Sequence, residues 1–190
     1  MIVCGQLAEV GLDAARRLAV EYLFGAEGVD RCWSWRPDLV LSALLGERVV
    51  GVCFASPGSG TGIVVDGIAV DGSFAGRGIG SKLLSAWEVA ARATGFTEVT
   101  VGSAGGYVEH FYEKNGYRPV EYCVTVPCAV DVNGPGGVDV TRVRVCGDFS
   151  LVNIASTSGR DPDAKAAALA ACGGTHLSVI YAKSLTGPTN

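Results

Sequence analysis

The chain has 190 residues, of which 48% are hydrophobic and 18% are charged. This composition is typical of a folded domain with a real core, and it excludes a disordered or fibrous protein. The net charge of -4 comes without any basic run, so the sequence predicts no nucleic-acid partner.

The N-terminal residues and the cysteines predict where in the cell the protein lies and whether it binds a metal ion. No basic segment followed by a long apolar run opens the sequence, so we expect a cytoplasmic protein with no signal peptide and no membrane partner. The seven cysteines form no CxxC pair, and the chain has two histidines. This pattern favours buried, reduced thiols and predicts no metal site.

Hydrophobic periodicity divides the first 126 residues into strands and helices in the order strand, two helices, antiparallel meander, helix, strand, helix and strand. The predicted strands are Met1–Cys4, Leu39–Leu44, Val49–Ala55, Ile63–Val70, Glu98–Val101 and Tyr117–Val126. The predicted helices are Leu7–Phe24, Asp30–Arg36, a long helix that ends near Thr94, and Tyr107–Asn115. This order of elements predicts an α/β fold with a mixed central sheet flanked by helices.

The composition changes at Pro127, and residues 127–190 contain no Glu and no Trp. The predicted elements there form a ββαβ pattern: Val138–Val145, Ser150–Ala155, Asp163–Cys172 and Leu177–Ala182. Asp161 is the predicted cap of the helix, with Pro162 at its first position. A segment of about sixty residues is small for an independent domain. We therefore predict a core of residues 1–126 and a small C-terminal ββαβ extension of residues 127–190, which extends the main sheet or packs on a second copy of the chain.

The segment Phe74–Leu84 opens the long predicted helix and contains three glycines at alternate positions. The first amides of a helix have no internal partners, and the helix dipole favours negative charge at that end. A helix start that lacks Cβ atoms is therefore well suited to bind a phosphate group.

Two familiar phosphate-binding motifs do not fit this segment. A P-loop requires Gly-Lys-Ser/Thr, whereas here Gly80 is followed by Ser81 and then by Lys82. A dinucleotide-binding fingerprint requires a glycine where Ser81 stands, and the preceding strand ends several residues too early, near Val70.

A third pattern fits better. Residues 70–84 resemble the acetyl-CoA loop of the GNAT N-acetyltransferase family, whose signature is Gln/Arg-x-x-Gly-x-Gly/Ala. Gly78 and Gly80 match this signature, and Ala75 stands where the family usually has Gln or Arg. The segment Phe111–Tyr117 resembles the Phe-Tyr-x-Lys-x-Gly-Phe end of the same core, in the right order along the chain. The resemblance covers roughly residues 1–126 and implies a GNAT-type acyl-CoA N-acyltransferase fold.

The resemblance also implies roles for individual residues. The pyrophosphate of acetyl-CoA, the expected cosubstrate, would be held at the backbone of Arg77, Gly78, Ile79, Gly80, Ser81 and Lys82. A main-chain amide at Val70, beside Ala69, would polarise the thioester carbonyl. Tyr112 aligns with the family's proton donor to the departing thiolate, although ring packing is the alternative interpretation. Gly105 stands where many members have a cofactor-binding Asn.

Asp66 is the candidate general base. It lies in an otherwise apolar strand, and strand alternation places it on the same face as Ile68 and Val70. A lone carboxylate there is a base, an amine-binding group, or a solvated residue on an open face.

These observations predict an N-acetyltransferase in which the primary amine of a small molecule or peptide attacks acetyl-CoA directly. The C-terminal extension would then line the acceptor pocket, extend the sheet or contact a homodimer mate. The alternative is a non-catalytic acyl-CoA-binding sensor, because Ala75 and Gly105 both depart from the family pattern. A third hypothesis is an interaction domain with a vestigial loop.

Overall fold

The computed structural model describes residues 1–23, 25–103, 107–127, 139–156 and 161–186. Within these ranges the strands are β1 Ile2–Gln6, β2 Leu41–Leu45, β3 Arg48–Pro57, β4 Gly62–Val70, β5 Glu98–Ser103, β6 Arg118–Pro127, β7 Val140–Cys146, β8 Phe149–Ala155 and β9 His176–Ser184. The helices are α1 Leu12–Tyr22, α2 Glu27–Trp35, α3 Ile79–Ala93, α4 Tyr107–Lys114 and α5 Pro162–Cys172. The predicted α/β class is confirmed.

The first of two compact units comprises Met1–Thr100 and the chain from Ser184 onward. Its strands β1 to β4 pair in sequence order, and each pair is antiparallel. The helices α1 and α2 contact β3, and α3 contacts β1 to β4. Six successive residues of β3, Val50–Ala55, are buried. Because successive strand residues point to opposite faces, β3 is covered on both faces of the sheet.

Helix α3 is held in the first unit by its apolar stripe. Leu83, Leu84, Trp87 and Ala91 are buried at helical spacing, as the sequence pattern predicts. The Trp87 ring is fully buried, and its indole nitrogen donates a hydrogen bond of 3.0 Å to the carbonyl oxygen of Leu39. The helix ends before Gly95, which adopts a φ of 93°.

The second unit comprises Val101–Lys183. Its strand β6 lies between β8 and β9, and β7 pairs with β8, all antiparallel. The C-terminal elements thus occur in the predicted ββαβ order, and two of their strands extend the sheet at β6. Helix α5 begins as predicted, with the Asp161 carboxylate accepting hydrogen bonds from the amides of Asp163 and Ala164.

The two compact units divide after Thr100 and after Lys183. This is a different division from the predicted boundary at residue 127, which stays a prediction. The predicted first helix, Leu7–Phe24, is shorter in the structure and spans Leu12–Tyr22, while the amide of Leu7 donates to the carbonyl oxygen of Val40.

Of the described cysteines, Cys32, Cys53 and Cys172 are buried and all six are free thiols, while Cys128 lies outside the described residues. Across the described ranges, each helix is too short or too polar to cross a lipid bilayer.

Replacing Trp87 tests the anchoring of α3. We expect Trp87→Phe to lower the free energy of unfolding by about 2 kcal/mol, because it leaves a cavity and an unpaired carbonyl oxygen at Leu39. Urea denaturation followed by circular dichroism measures this change. Val89→Ala, on the exposed side of the same helix, is the matched control and should shift the free energy by less than about 0.5 kcal/mol. Equal effects of the two substitutions would contradict the proposed anchoring.

Candidate functional site

The connection between β4 and α3 adopts a backbone conformation that requires glycine. Gly76 and Gly78 have φ values of 73° and 74°, where a side chain is strained. Gly78 is also the residue that caps α3, with no side chain contributing a capping hydrogen bond. A Cβ atom built on either glycine would meet no protein atom within 4 Å. The space in front of the helix start is therefore open.

The amides at this helix start have unused hydrogen-bonding capacity. The amide of Lys82 bonds to the carbonyl oxygen of Gly78 at 3.2 Å, so the ladder of α3 begins there. The four preceding amides, Gly78–Ser81, find no acceptor within the described part of the chain. Four successive donors at the positive end of a helix form a site for an anion. Lys82 can contribute through its exposed side chain rather than its amide.

Asp71 holds the start of the connection in place. Its carboxylate accepts a hydrogen bond of 2.9 Å from the amide of Ser73 and forms an ion pair with Arg48. The amide of Gly72 donates to the hydroxyl of Tyr22 at 2.9 Å. The Ser73 amide, with help from Arg48, lowers the pKa of the Asp71 carboxyl below its ordinary value. The turn is thus tied to α1 and to β3.

Two arginines converge on the ring of Phe74. The guanidinium carbons of Arg48 and Arg77 lie 5.3 and 5.4 Å from its centroid, within the range of cation–π attraction. Arg77 also donates to the carbonyl oxygen of Ser73 at 3.3 Å. Although Ala75 removes the family's usual polar side chain, this arrangement holds the charge of Arg77 beside the loop, while that of Arg48 is paired with Asp71.

The last residues of β4 are Ala69 and Val70. Ala69 is buried opposite Val52, and Val70 is half-buried opposite Gly51. The amide of the next residue, Asp71, donates to the carbonyl oxygen of Val50 at 2.9 Å. The predicted role of the Val70 amide in polarising a carbonyl stays a prediction.

Asp66 lies at an irregularity in the pairing of β3 with β4. Phe54 pairs with Gly67 and Ala55 pairs with Val65, so Asp66 is an additional residue without a counterpart on β3. Such bulges re-aim side chains and are frequent beside active sites. The Asp66 carboxylate accepts a hydrogen bond of 2.9 Å from the Ser56 hydroxyl.

The pKa of the Asp66 carboxyl is shifted. Although the residue is exposed, partial removal of the carboxyl from water raises this pKa above the ordinary value. The hydrogen bond from Ser56 and the charge of Arg31 offset part of this increase. A carboxyl with a raised pKa is better matched to accepting a proton near neutrality.

Asp66 lines a cavity of about 350 Å³ in the first unit. The other lining residues come from α2, the chain before it and β3: Leu23, Gly25, Glu27, Gly28, Arg31 and Phe54. A Cβ on Gly28 or Gly67 would collide with the Phe54 ring, so these glycines let the ring occupy its position. The volume is at the lower end of the range for small-molecule sites. Sequence analysis found Asp66 but missed Glu27, Arg31 and Phe54, because no local motif links them.

Tyr112 lies in the second unit, on α4, with 4% of its surface exposed. Its ring packs against those of Phe111, Tyr117 and Tyr181, with centroid distances of 5.2, 5.7 and 5.9 Å. Ring packing is therefore one role of Tyr112, and proton donation stays a prediction. Gly105 lies outside the described residues.

No group of three or more His, Cys, Asp or Glu side chains is placed to bind a metal ion in the ranges that the structure describes.

Comparison with known proteins identifies the type of domain. Residues 36–119 match the sequence profile of the acetyltransferase (GNAT) domain family. This stretch includes β4, the glycine-rich connection and α3. No curated protein sequence matches the chain.

Solved structures share the fold at low identity. The ribosomal-protein-S18-alanine N-acetyltransferase from Escherichia coli superposes with a TM-score of 0.58 at 11% identity, covering 100% of this chain and 97% of its own. Aminoglycoside 6'-acetyltransferase type Ii gives 0.58 at 17% identity, covering 98% and 99%. A putative acetyltransferase from Salmonella typhimurium with its cofactor acetyl-CoA gives 0.54 at 15% identity, covering 82% and 93%. The fold implied by the sequence resemblance is confirmed.

Substituting Gly78 tests the anion site. We expect Gly78→Ala to weaken acetyl-CoA binding by roughly tenfold, because a left-handed alanine costs about 1–2 kcal/mol and displaces the amides from their positions. Isothermal titration calorimetry measures the affinity. Gly95→Ala is the matched control, because Gly95 has a φ of 93°, equally open space, and lies at the opposite end of α3. It should lower stability similarly but leave the affinity unchanged; a shared loss of affinity would place the phosphates elsewhere.

Proposed function

We propose, from the match of residues 36–119 to the GNAT acetyltransferase domain family, that the chain is a cytoplasmic N-acetyltransferase. It transfers the acetyl group of acetyl-CoA to the primary amine of a small molecule or peptide. The observation that carries the proposal is the row of four amides, Gly78–Ser81, which have no acceptor in the described part of the chain and lie within the matched domain.

The residues at the helix start fit the pyrophosphate of acetyl-CoA. The amides of Gly78–Ser81 offer hydrogen bonds, and the two glycines leave room for a close approach of the ligand. Arg77 and Lys82 add positive charge at the same end of α3. A diphosphate anion is stabilised by this combination of donors, dipole and cations.

When bound, acetyl-CoA would supply a thioester. Its carbon–sulfur bond would break as the acceptor nitrogen forms the amide bond. The nitrogen would lose one proton, and the thiolate would gain one. Asp66 takes a proton from the ammonium form of the acceptor, so that a neutral amine is available. By the family resemblance, the amide of Val70 would stabilise negative charge on the carbonyl oxygen. Tyr112 would donate a proton to the thiolate and be reprotonated by the proton released from the acceptor nitrogen.

The acceptor class follows from the cavity at Asp66. Two carboxylates, Glu27 and Asp66, line an open cavity together with the Phe54 ring, which suits an amine carried on an apolar body. The compared structures are named for an aminoglycoside and for an alanine of a ribosomal protein, so this fold serves both small and peptide acceptors.

The second candidate function is a non-catalytic acyl-CoA sensor, favoured by the alanine at position 75. Release of CoA with a panel of amines distinguishes the two. Thermal stabilisation by acetyl-CoA without turnover of any amine supports the sensor, and the absence of stabilisation rules out both.

Removing one hydroxyl tests the role of Tyr112. We expect Tyr112→Phe to lower kcat roughly a hundredfold with little change in acetyl-CoA affinity, because only the proton donor is lost. Steady-state assays of CoA release give kcat. Tyr181→Phe is the matched control, since it removes a hydroxyl from the same ring cluster and should retain kcat. An unchanged kcat in Tyr112→Phe would remove this residue from the mechanism.

The pH dependence of the reaction tests Asp66. We expect kcat/KM to fall as the pH drops through the raised pKa of Asp66, because only the ionised carboxyl accepts a proton. Asp66→Asn should abolish this acid limb. Ser56→Ala removes a hydrogen bond that favours the ionised form, so it should move the limb to higher pH. If the acidic fall in kcat/KM stays at the same pH in both variants, a group other than Asp66 causes it.

A further inference from the structure

The cavity at Asp66 contains charges of both signs. Glu27 and Asp66 are acidic, and Arg31 is the cation among its lining residues. Arg31 lies close enough for its charge to lower the pKa of Asp66. A small acceptor in this cavity therefore meets both an anionic and a cationic side chain of the protein.

Arg31 is not neutralised by its helical neighbour. Glu27 lies four residues before it on α2, a spacing that permits an ion pair. The Glu27 carboxylate instead packs against Gly25, whose missing side chain leaves room for it. Within the described residues, Arg31 makes no ion pair or side-chain hydrogen bond.

Other arginines of the first unit are engaged with protein groups. Their partners are Asp13 and Asp30 for Arg16, Asp38 for Arg36, Asp71 for Arg48 and the carbonyl oxygen of Leu185 for Arg92. Arg31 makes no such contact within the described residues, and it lines the cavity that also holds the candidate base. A guanidinium binds carboxylates by paired, charge-assisted hydrogen bonds.

We propose that the acceptor is a small amine that also carries a carboxylate, with Arg31 binding the carboxylate and Asp66 binding the amine. This inference rests on the proposed acetyltransferase function and specifies its substrate class. Leu23 and Phe54 contact the apolar group that the acceptor carries beside its two charged groups. A polyamine, by contrast, would place a second positive charge in the cavity with Arg31.

Three acceptors of matched shape test the proposal: leucine, leucinamide and 3-methylbutylamine. They share the apolar body and the amine, and only leucine carries a carboxylate. Acetylation is followed by CoA release at saturating acetyl-CoA. We expect the KM of leucine to be lower than that of the other two by about fivefold, the size of one partly exposed ion pair. The values of kcat should be similar across the three acceptors.

Variants of Arg31 complete the test. Arg31→Met should raise the KM of leucine about fivefold and leave that of leucinamide unchanged, while Arg31→Glu should reverse the preference in favour of 3-methylbutylamine. Arg17→Met is the matched control, because Arg17 is an exposed arginine of α1 that does not line this cavity. It should alter none of the three KM values.

The possible results separate this proposal from the function on which it rests. Acetylation of all three acceptors with equal KM, or a leucine KM unchanged in Arg31→Met, overturns the role of Arg31 and retains the acetyltransferase. Binding of acetyl-CoA without acetylation of any of the three acceptors overturns this inference alone, whereas binding without turnover of any amine in the wider panel overturns the acetyltransferase function as well.

Discussion

The site depends on one constraint, the left-handed backbone at Gly78 where α3 begins. A φ of 74° turns the chain into the helix without a capping side chain, and the amides of Gly78–Ser81 are left with hydrogen-bonding capacity. The helix can present these amides because its far face is locked into the sheet by Trp87 and its neighbours. The packing of α3 in the core thus offsets the free-energy cost of leaving several amide donors free for an anion.

Charge around this helix start is arranged by contacts that are distant in sequence. Asp71 binds both the Ser73 amide and Arg48, and Arg48 shares the Phe74 ring with Arg77. In the family pattern a polar side chain at position 75 stands near the loop entrance, and here the position is alanine. Arg77, held by the Phe74 ring, provides positive charge by a different route, which is consistent with retained binding of a diphosphate.

Helix α4 is held in the second unit by side-chain packing, as α3 is in the first. Tyr112 is packed among aromatic rings, and Glu109, one turn earlier, forms an ion pair with Lys165 of α5, with both side chains largely removed from solvent. Removing one partner of such a pair is costly, because it leaves a buried charge. Residues beyond 127 therefore contribute to the support of α4, which is a structural role that the C-terminal ββαβ elements have in addition to extending the sheet.

The sequence by itself determined the elements that depend on neighbouring residues: the strands and helices, the cap of α5 at Asp161, and the glycine-rich start of α3 with the family resemblance it carries. These features follow from periodicity and backbone preferences over a few positions. Only the tertiary structure decided the environment of Asp66. The bulge opposite Phe54 and the cavity shared with Arg31 arise from the register between β3 and β4 and from the packing of α2, which join residues far apart in the chain. A local pattern carries no information about which distant charge will face a given carboxylate.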